Sequence, residues 1–150
     1  MDKPKRDVKE ILLMMLARRE HCRFDAQNKL KQKGYEEEDI KNALKWAEEN
    51  KYLDDARYTR LYVENALMLK HQGKKRIIYD LSYKHIDSKT IHNAIDEFYD
   101  KDSEAEELTA TIERRLSGDY SDKSKNRVIR YCLSHGYEFS TVKSILDKFC

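Results

Sequence analysis

Leu30, Gly34, Tyr35, Ile40 and Leu44 are matched 51 positions further on by Leu81, His85, Ile86, Ile91 and Ile95, and 51 positions beyond that by Cys132, Gly136, Tyr137, Val142 and Leu146. Every apolar position is kept and only the glycine changes, to His85. Ala26, Ile77 and Val128 carry the correspondence toward the N-terminus, and Ala47, Phe98 and Phe149 carry it toward the C-terminus. A fixed period of this length belongs to helical arrays in which each unit buries its apolar face against its neighbours. The fold class predicted is all-α: an elongated array of three tandem three-helix repeats resembling helix-turn-helix units, with boundaries at 1–53, 54–102 and 103–150.

Within a unit the template spans two helices joined at a tight cap. Ala26 and Leu30 lie four apart on one stripe, Gly34 supplies a residue that can take positive φ and end the helix, and Tyr35 packs back over that end. Glu36, Glu37, Glu38 and Asp39 then place four acids where the next helix begins, complementing the positive end of its dipole. His85 takes the cap position in the second unit at some conformational cost. An amphipathic helix precedes each pair. One runs over 8–20 on Val8, Ile11, Leu12, Met15 and Leu16, one over about 55–70 with Asp54 or Asp55 as N-cap and closure near Gly73, and one over 103–117 on Leu108, Ile112 and Leu116. The loop at 118–124 is longer than its equivalents and is the expected hinge. With 39% hydrophobic and 39% charged residues, each unit supports only a thin core. Four glycines and the single Pro4 leave little room for strands joined by turns.

Charge is segregated in the same order along the units. Residues 18–33 hold six basic side chains against two acidic, while residues 36–55 hold eight acidic against three basic. Residues 70–89 and 96–107 repeat the alternation, and Lys123, Lys125, Arg127 and Arg130 form a third basic cluster. The formal net charge of +2 therefore conceals basic second helices that come into line when units stack.

Other chemistry is disfavoured. No run approaches the roughly 18 apolar residues that span a bilayer, and the N-terminal segment lacks the pattern of a signal peptide, so no membrane and a cytoplasmic location are expected. Cys22, Cys132 and Cys150 are odd in number without CxxC spacing, which points to free thiols. The stretch from His71 to Arg76 lacks the first glycine and the Ser/Thr of a phosphate-binding loop. His85 and His92 have no acidic or thiol partner at ligand spacing, so neither a metal nor a cofactor is expected. Asp54 and Asp55 are adjacent carboxylates at a helix start, where capping outweighs acid–base work. Nothing in the chain reads as an active site, and the protein is not expected to be an enzyme.

Four stretches, Leu16-Ala17-Arg18-Arg19-Glu20-His21, Leu30 to Tyr35, Tyr52-Leu53-Asp54-Asp55-Ala56-Arg57-Tyr58 and Gly73-Lys74-Lys75-Arg76-Ile77, resemble the RecX family of bacterial recombinase regulators. The similarity runs in order over nearly the whole chain, with Tyr58 where Phe is common, Lys51 where Gly often precedes the motif, and His85 in place of the second cap glycine. The resemblance implies a monomer, active in recombination and DNA repair, that binds the groove of the RecA filament on single-stranded DNA, directly or through protein, and restrains filament growth, ATP hydrolysis and strand exchange. Arg18, Arg19, Lys33, Lys74, Lys75, Arg76, Lys84, Lys125 and Arg127 are the candidate contacts. Leu53, Asp54, Asp55, Arg57 and Tyr58 read as a structural motif, with Arg57 as partner to the aspartates. The alternative is a stand-alone nucleic-acid-binding helical module, and a third reading is an adaptor held by its acidic helices.

Overall fold

The computed structural model describes residues 6–149, which leaves Pro4 and Cys150 outside the described residues. Among the described residues there are nine α-helices and no strand: α1 (Val8–Arg18), α2 (Arg23–Gln32), α3 (Glu37–Glu49), α4 (Asp55–Met68), α5 (Lys74–Tyr83), α6 (Ser88–Phe98), α7 (Lys101–Leu116), α8 (Asp122–Ser134) and α9 (Phe139–Leu146), closed by a turn of 3-10 helix at Asp147–Phe149. The class is all-α. Helices pack in consecutive triples, α1 to α3, α4 to α6 and α7 to α9.

Each triple has its own core. Leu12, Ala26, Leu30, Ile40, Leu44 and Leu53 are buried together in the first. Ile77, Leu81, Ile91 and Ile95 are buried in the second, which also takes Cys22 from the first triple. Leu108, Ile112, Val128, Cys132, Val142 and Leu146 are buried in the third. Positions related by the 51-residue offset are therefore buried in equivalent places.

The caps repeat as well. The Tyr35, Ile86 and Tyr137 amides donate to the carbonyls of Leu30, Leu81 and Cys132 at 3.3, 3.3 and 3.1 Å. The residues before them, Gly34, His85 and Gly136, stand at φ 89°, 60° and 91°. This bond, reaching back five residues from beyond a left-handed turn, is the Schellman closure.

Several boundaries differ from the sequence expectation. The first helix ends at Arg18, because Arg19 is extended at φ −167° and ψ 164°. The seventh begins at Lys101, because the Asp100 carboxylate accepts the amides of Asp102 and Ser103 at 2.9 and 3.2 Å. Gly73 does not close α4. That helix ends at Met68, with Leu69 as its C-cap, and Gly73 is the N-cap of α5. The loop expected at 118–124 ends at Ser121, which caps α8 by accepting the Ser124 amide, and its remainder is tied by an Asp119 amide to Leu116 carbonyl bond of 2.9 Å and a Ser121 amide to Asp119 carboxylate bond of 3.0 Å.

The accessible surface is 10272 Å², against about 8,000 Å² for a compact monomer of this mass. An array of three thin cores exposes this much more than one shared core would. No helix among the described residues is long and apolar enough to cross a membrane.

Candidate functional site

Two junctions join the triples, and both are made by the second helices meeting head to tail. At the first, the start of α2 lies on the end of α5. Phe24 stacks on His85 with ring centroids 4.9 Å apart and meets Tyr83 edge-on at 6.0 Å. Lys84 Nζ donates to Asp25 Oδ2 at 2.7 Å and to the Tyr58 hydroxyl at 3.0 Å. Burial opposes the charge on Lys84, but the bonds to Asp25 and Tyr58 outweigh it and raise its pKa.

The Tyr52-to-Tyr58 segment completes this junction. Leu53 is buried in the first core and Asp54 caps α4 by accepting the amides of Ala56 and Arg57. Asp55 accepts the Arg23 amide at 2.7 Å while the Cys22 thiol accepts the Asp25 amide at 3.5 Å, so two of the free amides at the start of α2 are satisfied, one of them from α4. Burial raises the pKa of Asp55, opposed by that amide bond. Arg57 does not pair with Asp54 or Asp55. It reaches Glu20 at 2.6 Å and the carbonyls of Lys51 and Tyr52 at 3.2 Å each.

At the second junction the start of α5 lies on the end of α8, and backbone meets backbone. The Gly73 amide donates to the His135 carbonyl at 2.7 Å and the Lys75 amide to the Gly136 carbonyl at 3.2 Å. The free donors of one helix start are thus satisfied by the free carbonyls of another helix end, with the two dipoles in series. A Cβ at Gly73 would overlap the Gly136 carbonyl, and one at Gly136 would overlap the backbone and Cβ of Arg76. The Arg76 guanidinium donates to the Ser134 carbonyl at 3.1 Å and pairs with Asp80, while Lys75 pairs with Glu138 at 3.1 Å. The Tyr137 hydroxyl donates to the His71 carbonyl.

The candidate cations therefore fall into separate groups. Lys84 is spent inside the first junction. Lys75 and Arg76 lie outside the apolar stripe of α5, and their side chains reach the third triple, Arg76 at the Ser134 carbonyl and Lys75 in an exposed pair with Glu138. Lys74 is exposed, with its ammonium 4.0 Å from the centre of the Tyr99 ring. Lys125 is half-buried and Arg127 exposed on α8, well along the chain from the rest.

Arg18, Arg19 and Lys33 do come together. With Met15, His21, Lys29 and Gln32 they line a cleft of about 420 Å³ between the end of α1 and the end of α2. Among the described residues its walls hold four permanent cations and a histidine and no carboxylate, while Glu20 and Asp25 line the adjoining cleft that shares Arg19, His21 and Lys29. His21 is buried, its Nδ1 3.0 Å from the Arg19 carbonyl and its Nε2 3.5 Å from Lys29 Nζ. Desolvation lowers its pKa, with the cationic neighbours Lys29 and Arg19 acting in the same direction. A neutral imidazole that donates from Nδ1 to the carbonyl and accepts at Nε2 from Lys29 fits both contacts.

Like charges gathered this closely repel one another, so the cleft is electrostatically suited to an anion. Lys29 and His21 are not among the candidates from sequence. Lys29 stands four residues before Lys33, on the same face of α2, and that spacing is the signal that could have found it. Cys22 and Cys132 are buried free thiols whose pKa burial pushes up to about 11, which leaves them poor nucleophiles.

Residues 54–95 match the family model described as "RecX, second three-helix domain". The chain is 31% identical over 141 residues to Regulatory protein RecX of Vibrio parahaemolyticus, covering 93% of this chain and 89% of that one. It is 32% identical over 126 residues to the protein of the same name from Clostridium tetani, covering 81% of this chain but 57% of that longer relative. The crystal structure of RecX from Lactobacillus salivarius superposes with a TM-score of 0.75 at 21% identity, over 94% of this chain and 93% of that one. A second solved structure of a regulatory protein RecX gives 0.78 at 22% identity, over 93% and 70%. The fold is thus shared with RecX structures, and by identity extending over most of both chains the protein belongs to the RecX family of regulatory proteins.

Proposed function

We propose that this protein is a cytoplasmic, monomeric inhibitor of a RecA-type recombinase, acting in recombination and DNA repair. It lies along the recombinase filament on single-stranded DNA and restrains filament growth, ATP hydrolysis and strand exchange. The observation that carries this reading is the cleft of Arg18, Arg19, Lys29 and Lys33, a concave surface of one sign in a member of a regulatory family. A partner surface of carboxylates or phosphates would relieve the repulsion within it, and complementary potentials favour fast and specific encounter. Lys74 and Arg127, exposed on the other two second helices, extend the same sign along the array.

The test is the variant Arg18→Glu, Arg19→Glu, Lys33→Glu, assayed for inhibition of recombinase ATP hydrolysis on single-stranded DNA. These three side chains are exposed and belong to neither junction, so helicity and melting temperature should stay near wild type while most inhibition is lost. Glu36→Lys with Glu37→Lys, on exposed acids at the start of α3, should inhibit almost normally. Full inhibition by the basic-cleft variant, with failure of the acidic one, would move the binding surface to the acidic helices.

A further inference from the structure

Helix α5 carries on its outer side two exposed tyrosines, of which Tyr79 enters neither the core nor a described junction contact and Tyr83 touches the first junction only edge-on. Tyr79 and Tyr83 are each 70% exposed, four residues apart and so on one stripe. Their ring attachments are separated by about 6 Å along the helix axis, which allows a planar group to lie against both. The contrast with Tyr58 and Tyr62 is informative. Those two are half-buried and engage Lys84, Asp25 and Asp80 with their hydroxyls, whereas Tyr79 and Tyr83 are mostly exposed. The stripe does not stop at the helix end, because Tyr83 meets Phe24 edge-on at 6.0 Å.

Helix α5 opens on three cations, Lys74, Lys75 and Arg76, of which Lys75 pairs with Glu138 and Arg76 with Asp80. Lys75 lies one turn before Tyr79, and Arg76 beside it. Asp80, the one acid of α5, is half-buried, paired with Arg76 and bonded by the Tyr62 hydroxyl. The Lys75–Glu138 pair is 65% and 55% exposed, an arrangement that contributes little and that a phosphate could replace. Exposed aromatic faces spaced along a basic helix are the two elements that bind single-stranded nucleic acid without regard to sequence, stacking for the bases and cations for the backbone. A protein partner would instead favour pockets that enclose an anchor side chain, whereas these two rings are each 70% exposed.

We propose that the outer stripe of α5, with Tyr79 and Tyr83 as its stacking faces, binds single-stranded DNA directly through the bases. The assignment rests on the regulatory reading only in taking single-stranded DNA as the strand on which the protein works, and it is tested without recombinase. The wild-type protein is titrated against labelled oligothymidylate and against an abasic oligonucleotide of the same length and charge, alongside Tyr79→Ala with Tyr83→Ala and Tyr79→Phe with Tyr83→Phe. Stacking predicts that wild type prefers the base-bearing strand by about tenfold or more, that the alanine variant loses this preference with an unchanged salt slope, and that the phenylalanine variant keeps it.

Equal wild-type affinity for the two strands, or no binding of either, would overturn the proposal. So would an alanine variant that binds oligothymidylate as wild type does. If circular dichroism shows the alanine variant misfolded, the wild-type strand comparison and the phenylalanine variant decide alone. Loss of recombinase inhibition by the alanine variant with oligonucleotide affinity intact would mean that the tyrosines touch protein. The stacking assignment then falls and the regulatory reading stands.

Discussion

His85 and Gly136 occupy the same position of the repeat and show how one residue decides the character of a junction. Both have positive φ, at 60° and 91°, and a non-glycine residue in that region costs about 1–2 kcal/mol. His85 offsets the cost by stacking on Phe24, while Gly136 has no side chain because Arg76 occupies the space one would need. His85→Gly should therefore change stability by less than about 1 kcal/mol, relief of strain balancing the lost stack. Gly136→Ala should cost more than about 2 kcal/mol in urea titration, since it meets both strain and overlap. Equal costs would contradict this account. The sequence reveals that both positions need positive φ, because each ends the same apolar stripe. It does not reveal why one tolerates a side chain, because the reason lies in Arg76, 60 residues away. His21 supplies a second prediction. Its pKa is lowered in the folded state by burial, so the stability it contributes is present above about pH 6.5 and is lost as pH falls through the lowered value. Between pH 7.5 and 5, wild type should lose melting temperature that a His21→Gln variant does not lose.

Elements explain the rest of what the sequence could and could not yield. The apolar faces of α2, α5 and α8 are legible because their period is local, and the caps follow from it. The junction partners Arg57–Glu20, Lys84–Asp25 and Gly73–His135 are separated by 37, 59 and 62 positions and follow no local period. Hence Lys84 looks like a solvated cation and Gly73 like the end of α4, although each is a junction residue of α5. The prediction at this scale concerns Lys84→Met. It leaves Asp25 and Tyr58 facing each other without the ammonium, and Lys84 is only 25% exposed, so the loss should be about 1–3 kcal/mol. Arg60→Met removes the Arg60–Glu97 pair, whose partners are 56% and 44% exposed, and should cost far less than Lys84→Met. Chemical denaturation of the two variants at one salt concentration makes the comparison. A similar loss in both would mean that the first junction is not held by its ion pair.

At the scale of the whole molecule, three cores joined end to end imply that stability is a sum of unit terms and junction terms rather than one shared quantity. The excess of surface over a compact chain agrees with this, and the radius of gyration in solution should exceed the roughly 15 Å of a compact chain of 150 residues. Leu81 is the residue through which the arrangement can be tested. It is fully buried in the middle core, on the one helix that takes part in both junctions. Leu81→Ala should cost roughly 2–4 kcal/mol through the cavity it leaves. The loss should be uneven along the chain. Amide hydrogen exchange should accelerate most in α5 and α6, with a smaller rise at the start of α2, where Lys84 and His85 meet Asp25 and Phe24, and at the end of α8, whose His135 and Gly136 carbonyls accept from the start of α5. Leu12 in α1 and Leu108 in α7, each buried in its own core, should keep most of their protection. If all nine helices instead lost protection by the same free energy, the chain would fold as a single cooperative core, and the three units would be a pattern of sequence without separate energetic meaning.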